Sequence, residues 1–264
     1  MNFVNKEELR VQKKFLNKGY YIFNIKDKKN LSRIKKSIIK ISKEWLKKKY
    51  KKKNQNFTLD NTHNEISIKD LNSYRLYVYE KINSYKWFSK AYFSLGKRYL
   101  EMICGNELVM QKKCNLSIQL PNDDSSTLPL HSDVWVGDSE YEIVLWLPLV
   151  DCYRTKSMFI LPTDKNNKFS KKFFKYKSTN KLFTAVKPHL KWLKIDYGQG
   201  LLFTQNIMHG NVANSEKGTR WSFNCRFKAI FSPYRDKSIG VFFKPITMKP
   251  VTKLGMSYKY PNEK

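Results

Sequence analysis

The hydrophobic periodicity of this 264-residue chain changes at about residue 107, and that change constrains the fold more than any other feature. Before it, apolar residues recur at helical spacing. Leu31, Ile34, Ile38, Ile39, Ile41, Trp45 and Leu46 form such a stripe across residues 28–49. Helices are also expected over 6–17, closed by Lys18-Gly19, and over 69–83 and 86–104. A short strand, YYIFNI (20–25), separates the first two helices, and a basic, Asn-rich loop runs to about residue 65. After residue 107 the period falls to two. In ELVMQKKCNLSIQLP, Cys114, Leu116, Ile118 and Leu120 alternate with Asn115, Ser117 and Gln119. YEIVLWLPLVD, MFILP, KWLKIDYG, GLLFTQNI and TRWSFNCRFKAIF continue the series of strands. Helices followed by many short strands imply an α+β fold, a helical support packed on a jelly roll or barrel. One domain is expected over 1–264. Its helical support ends at 106, its β core spans 107–232, and an extension over 233–264 wraps around it in extended form.

Composition removes several alternatives. Hydrophobic residues make up 41% of the chain and aromatics 15%, enough for a sizeable core. No run of 18 apolar residues exists, so a membrane-spanning helix is not expected. MNFVNKEELRVQKK lacks the apolar centre of a secretory signal. Cys104, Cys114, Cys152 and Cys225 form no C-x-x-C pair, so neither a zinc knuckle nor a dense disulfide frame fits. The expected location is the reducing cytoplasm. The net charge of +29 is mostly lysine, and phosphate readers lean on arginine forks. The charge therefore reads first as composition, in a chain also rich in Asn, Ile, Tyr and Phe. LKKKYKKKNQN (46–56) is the one local basic patch.

The chemistry begins at LPLHSDVWVG. His131 and Asp133 lie two residues apart, and in a strand such residues point to one face and reach one ion together. Pro129 argues against a helix there. A third ligand is needed, and the chain has only four histidines. His209, in GLLFTQNIMHGNVAN just after a strand, supplies it. Two histidines and one carboxylate with open positions is the pattern of non-haem iron(II) oxygenases. Eleven residues further on, the strand TRWSFNCRF alternates. Arg220, Ser222, Asn224 and Arg226 share one face, and Trp221, Phe223, Cys225 and Phe227 the other. A cationic face on an apolar strand needs a reason. 2-Oxoglutarate provides one: its C1 carboxylate and keto oxygen would chelate iron(II), and its distal carboxylate fits the Arg220 guanidinium, with Ser222 as a further donor.

These residues resemble a known family. LHSD, VLWLPLVD, MFILP and GQGLLFTQNIMHGNVANSEKGTRWSFNCRF are similar to the phytanoyl-CoA dioxygenase-like branch of the iron(II)/2-oxoglutarate oxygenases. The N-terminal FLNKGYYIF resembles its entry helix and strand. HSDVWVGDS and LVDCYRTKSMFILP look closest to the sporadic oxygenases found with bacterial surface-carbohydrate genes. The resemblance implies a double-stranded β-helix (jelly roll, cupin-like). It assigns iron(II) to His131, Asp133 and His209 and the co-substrate carboxylate to Arg220. It places Trp146 beside the co-substrate and makes Gln119 a looser candidate for a hydrogen bond to it. It implies oxidation of a C–H bond with O2, on a small carbohydrate such as an anionic sugar or a nucleotide-sugar. The family glycine before the MFILP strand and the Gly-Ser-His after it are missing. Arg154-Thr155-Lys156 and Thr163-Asp164-Lys165 stand there instead. Arg154 and Lys156 are expected at the pocket mouth, and His63 and His189 at the surface. Two alternatives stay open. A nucleic-acid demethylase would use the charge and the R-x5-R spacing of Arg220 and Arg226. A non-catalytic barrel would bind without chemistry.

Overall fold

The computed structural model describes residues 3–51 and 56–261. Four helices precede most of the strands: α1 (Lys6–Lys18), then, after strand β1 (Tyr20–Asn24), α2 (Lys28–Tyr50), α3 (Ile68–Asn83) and α4 (Phe88–Cys104). Local chemistry sets the ends of α1. The Asn5 side chain accepts from the Glu8 amide, Glu7 and Glu8 face the positive N-terminal end, and Gly19 closes the helix at φ 72°. A Cβ on Gly19 would also meet the Ile207 methyl at 2.8 Å. Glycine there satisfies both a left-handed turn and a close approach.

The β core follows: β2 (Leu108–Gln111), β3 (Asn115–Gln119), β4 (Ile143–Pro148), β5 (Phe159–Ile160), β6 (Lys191–Trp192), β7 (Gln199–Thr204), β8 (His209–Gly210), β9 (Arg220–Ala229) and β10 (Phe243–Pro245). Helices α5 (Thr163–Ser170) and α6 (Thr179–Val186) sit between β5 and β6, and α7 (Pro250–Ser257) lies near the end. One antiparallel sheet has the order β1-β7-β4-β9-β2-β10, with β3 also paired to β9. A smaller sheet has the order β6-β5-β8. These two sheets make the jelly roll, and the helical support packs on the outer face of the larger one.

β9 shows how the core is built. Its odd-numbered residues face the helices: Trp221 meets Tyr74 edge-on at 5.9 Å, Phe223 meets Phe88 at 5.2 Å, and Phe227 meets Phe93 at 6.0 Å. The indole of Trp221 donates to Thr62, and the Tyr92 hydroxyl donates to the carbonyl of Leu145 on β4. One continuous core cluster therefore joins residues of α2, α3 and α4 to the sheet. Burying an aromatic of this size stabilises by about 2–3 kcal/mol.

Several expectations change in detail. The 107–121 stretch is two strands, because Lys112 and Lys113 interrupt it and the Asn83 side chain captures the Cys114 amide and carbonyl instead. α5 and α6 lie where no element was expected, since each shows only two turns of periodicity. The C-terminal extension is not wholly extended: β10 pairs with β2 and α7 is a helix. Part of LKKKYKKKNQN falls outside the described residues. All four cysteines are free. Among the described residues no helix is long and apolar enough to cross a membrane.

Candidate functional site

The two sheets enclose a cavity of about 290 Å³. Its larger wall is the inner face of β3, β4, β7 and β9, which contributes Asn115, Ser117, Val144, Trp146, Phe203, Arg220, Ser222, Asn224 and Arg226. The antiparallel register explains the selection. Asn115 faces Asn224, Ser117 faces Ser222, and Trp146 faces Asn224 from the other side. Alternate residues of neighbouring strands share a face, so the polar set expected from β9 alone extends across the sheet. His131, Met158, His209 and Gly210 come from the opposite wall.

His131 and His209 form a backbone pair, His131 N to His209 O at 2.9 Å and His209 N to His131 O at 2.8 Å. That pairing sets the two imidazoles side by side, with centroids 4.4 Å apart. Asn211 extends the zipper: its backbone amide donates to the Leu128 carbonyl, and its side-chain oxygen accepts from the Leu128 amide. Gly210 permits the approach: a Cβ there would meet the Leu128 carbonyl at 2.7 Å and Phe159 at 2.8 Å. Each imidazole has its Nδ1 against a carbonyl two residues earlier, Pro129 O at 2.7 Å and Ile207 O at 2.9 Å. A carbonyl only accepts, so Nδ1 carries the hydrogen and Nε2 is left to bind. Asp133 opens a short 3-10 turn (Asp133–Val136) rather than continuing a strand. The extended backbone of Ser132 still turns its carboxylate to the His131 side, with Oδ1 3.3 Å from His131 Nε2. One ligand atom from each of the three residues lies within 4.8 Å of the others.

The electrostatics suit a cation. Burial lowers the pKa of His209 to about 4, so its ring is neutral. Burial alone would raise the pKa of Asp133, but His131, His209 and Arg226 together hold it at about 2. For His131 burial acts downward and is outweighed by Asp133 and Pro129, which raise its pKa. Arg226 backs the carboxylate at 3.6 Å and is itself held by Asp138 at 3.2 Å and by Gln205. Lys237, on the loop after β9, completes the pairing of Asp138. The charge of Arg226, on the polar face of β9, is thus met by acids. Asp138 and Gln205 carried no sequence signal, because their role depends on loops meeting.

At the far end stands Arg220, 4% exposed and, among the described residues, with no acidic partner. It donates to Ser117 Oγ at 2.9 Å and the Ser157 carbonyl at 3.3 Å, and burial lowers its pKa to about 10. Its Nε and the hydroxyls of Ser157 and Ser222 are buried without partners. A cation left this way is costly unless an anion joins it. Ser117 and Ser157 were not expected here. For Ser117 the polar face of β3 was the available signal.

Three expectations need correction. Gln119 does not line the cavity: its amide donates to Val212 O at 2.7 Å and its oxygen accepts from Asn211. Lys156 is buried against Asp60, so it does not reach the mouth, and Arg154 is exposed but absent from the lining. His63 is half-buried and contacts Thr219 Oγ1 at 3.0 Å, while His189 is exposed beside Phe169.

No protein-family model and no curated protein sequence matches the chain. Its fold is similar to that of solved non-heme oxygenases. A nickel complex of the non-heme monooxygenase ThoJ gives a TM-score of 0.58 at 13% identity, covering 92% of this chain and 85% of that one. The apo form of ThoJ gives 0.58 at 12%, covering 90% and 84%. EctD from S. alaskensis with bound Fe gives 0.50 at 13%, covering 86% and 79%. At these identities the likeness is one of fold.

Proposed function

We propose that this chain is an iron(II)- and 2-oxoglutarate-dependent oxygenase, acting as one domain on a C–H bond of a small carbohydrate or sugar-linked metabolite. The observation that carries the reading is a single cavity with a two-histidine, one-carboxylate donor set at one end and an unpaired buried guanidinium at the other. The residues fit both groups. Two imidazoles and one carboxylate suit a divalent first-row metal and leave coordination positions open. The partnerless Arg220 Nε and Ser222 Oγ suit a carboxylate. The similar ThoJ and EctD structures hold nickel and Fe respectively, which supports a metal in this fold.

Iron(II), 2-oxoglutarate and dioxygen together supply the oxidising power for a C–H bond when bound. The protein's part is positioning. His131 and His209 present Nε2, and Asp133 adds the charge. Arg220 and Ser222 would orient the far carboxylate, and Trp146 and Met158 keep that path dry. Arg226 is neutralised by Asp133 and Asp138, so the lining left for the substrate is the amides of Asn115 and Asn224 with apolar Leu128 and Val136. Uncharged amides beside apolar surface suit a hydroxyl-bearing group, and the resemblance of HSDVWVGDS supports carbohydrate. A role in surface-polysaccharide biosynthesis in the cytoplasm fits that resemblance.

The test is anaerobic iron(II) titration followed by succinate release against nucleotide-sugars, free sugars and methylated oligonucleotides. Stoichiometric iron binding and sugar-coupled succinate are expected. No iron binding would overturn the reading, and coupling only to methylated oligonucleotides would transfer it to nucleic-acid demethylation.

A further inference from the structure

The cavity mouth differs from its interior. Leu128 and Val136 line it and remain 56% and 69% exposed, and Trp135 beside them is 38% exposed. The Trp135 ring meets Phe173 at 4.7 Å, which ties the mouth to the short 3-10 turn Phe173–Tyr176 between α5 and α6. The next residue, Phe174, is 93% exposed. These side chains form an exposed apolar rim, and clustered exposed apolar side chains mark interaction sites.

The same segment carries a strong charge bias. From Asp164 to Asp196 the sequence contains ten lysines and no acidic residue between those two aspartates. Lys171, Lys172, Lys175 and Lys177 flank Phe173 and Phe174 and are all exposed. The other lysine-rich element, α2, has Glu44 within it and Asp27 at its N-cap. Exposed aromatic and aliphatic side chains within a lysine cluster match a surface with negative headgroups over an apolar layer.

We propose that the rim of the cavity, with Phe174 at its tip, docks on an anionic lipid surface. Phe174 enters the interface, the four lysines meet the phosphates, and the mouth of the cavity faces the membrane. Single-stranded nucleic acid would also use aromatics and cations, but it takes stacking faces along a groove. Here the patch includes aliphatic Leu128 and Val136, and the cations are all lysine, which favours lipid.

The purified protein is sedimented with vesicles of phosphatidylcholine alone and of an equimolar mixture with phosphatidylglycerol. Binding is expected to the mixture only. Phe174→Ser should weaken it about tenfold, and the pair Lys172→Glu/Lys175→Glu about 30-fold. The pair Lys36→Glu/Lys40→Glu on α2 carries the same charge change and should leave binding within about twofold, since exposed charges beyond the Debye length are screened. Emission should shift to the blue with the mixed vesicles, and less so in Trp135→Phe. All the substituted lysines and Phe174 are exposed, and an unchanged Tm verifies folding. Absence of vesicle binding, an equal loss from the α2 pair, or no effect of Phe174→Ser would overturn the proposal. Binding to a single-stranded oligonucleotide without vesicle binding would do so in favour of nucleic acid. None of these measurements needs metal, so their failure and that of the oxygenase reading are distinguishable.

Discussion

The two ends of the cavity handle buried charge in opposite ways. At the end that holds His131, Asp133 and His209 the ion pairs form a chain: Asp133 is held by His131 and Arg226, Arg226 by Asp138, and Asp138 by Lys237. At the other end Arg220 has a hydroxyl and a carbonyl and no acid at all. The first arrangement holds its geometry before a ligand arrives. The second is stabilised by the arrival of an anion. A preorganised end and an unsatisfied end in one cavity are what an ordered site for two ligands requires.

The sharpest break in this comparison is Asp133→Ala. It removes the only anionic ligand and should lower succinate formation by about 1,000-fold or more, roughly 4 kcal/mol, with iron(II) affinity falling in parallel. Retained turnover would refute the metal assignment. Next in size, Arg220→Met should raise the KM for 2-oxoglutarate by about 100-fold, the loss of a charge-assisted pair. Because the cation is unpaired without ligand, the same variant should also raise the apo protein's stability by about 1–3 kcal/mol. A drop in Tm would show that Arg220 is compensated after all.

Arg226→Met probes the opposite end, and there both effects reverse. Metal affinity should fall about 10–100-fold, the KM for 2-oxoglutarate should stay near that of the wild type, and stability should drop because Asp138 loses a partner. A raised KM with unchanged metal affinity would place Arg226 on the co-substrate. A smaller effect concerns Glu142, buried behind this end and bonded to Gln205 and the Ser139 amide. Burial, with Asp138 adding, pushes its pKa up to about 7. A carboxyl raised in the folded state contributes stability that is present below its unfolded value of 4.5 and is lost as pH rises through 7. Denaturant unfolding should show a decline of about 3 kcal/mol at most across that window, flattened in Glu142→Gln. The smallest expected change is Ser222→Ala. Its hydroxyl has no partner, so stability should hold while the KM for 2-oxoglutarate rises about three- to tenfold, the worth of one hydrogen bond.

Much of this site was legible along the chain. The β9 alternation needed only the period of a strand, and Arg220, Ser222, Asn224 and Arg226 do line the cavity while their neighbours fill the core. His131 and Asp133 were a two-residue match, and the scarcity of histidines pointed to His209. The partners of Arg226, by contrast, were not legible along the chain, because its acids lie on loops distant in sequence. Gln119 continues the polar face of β3 by parity but is engaged by Val212 and Asn211, residues of the loop after β8. Lys156 looked like a rim cation and is buried under Asp60.

By itself the sequence determined what backbone periodicity and side-chain type dictate: helices then strands, which face of β9 is polar, and a short roster of side chains able to hold a metal. Tertiary structure alone decided which charges are cancelled and which are left open, since that depends on loops such as 136–142 and 233–237 meeting across the barrel. Local period repeats every two or 3.6 residues and is written in the chain, whereas charge compensation is set by distances of a few ångströms between residues far apart in sequence.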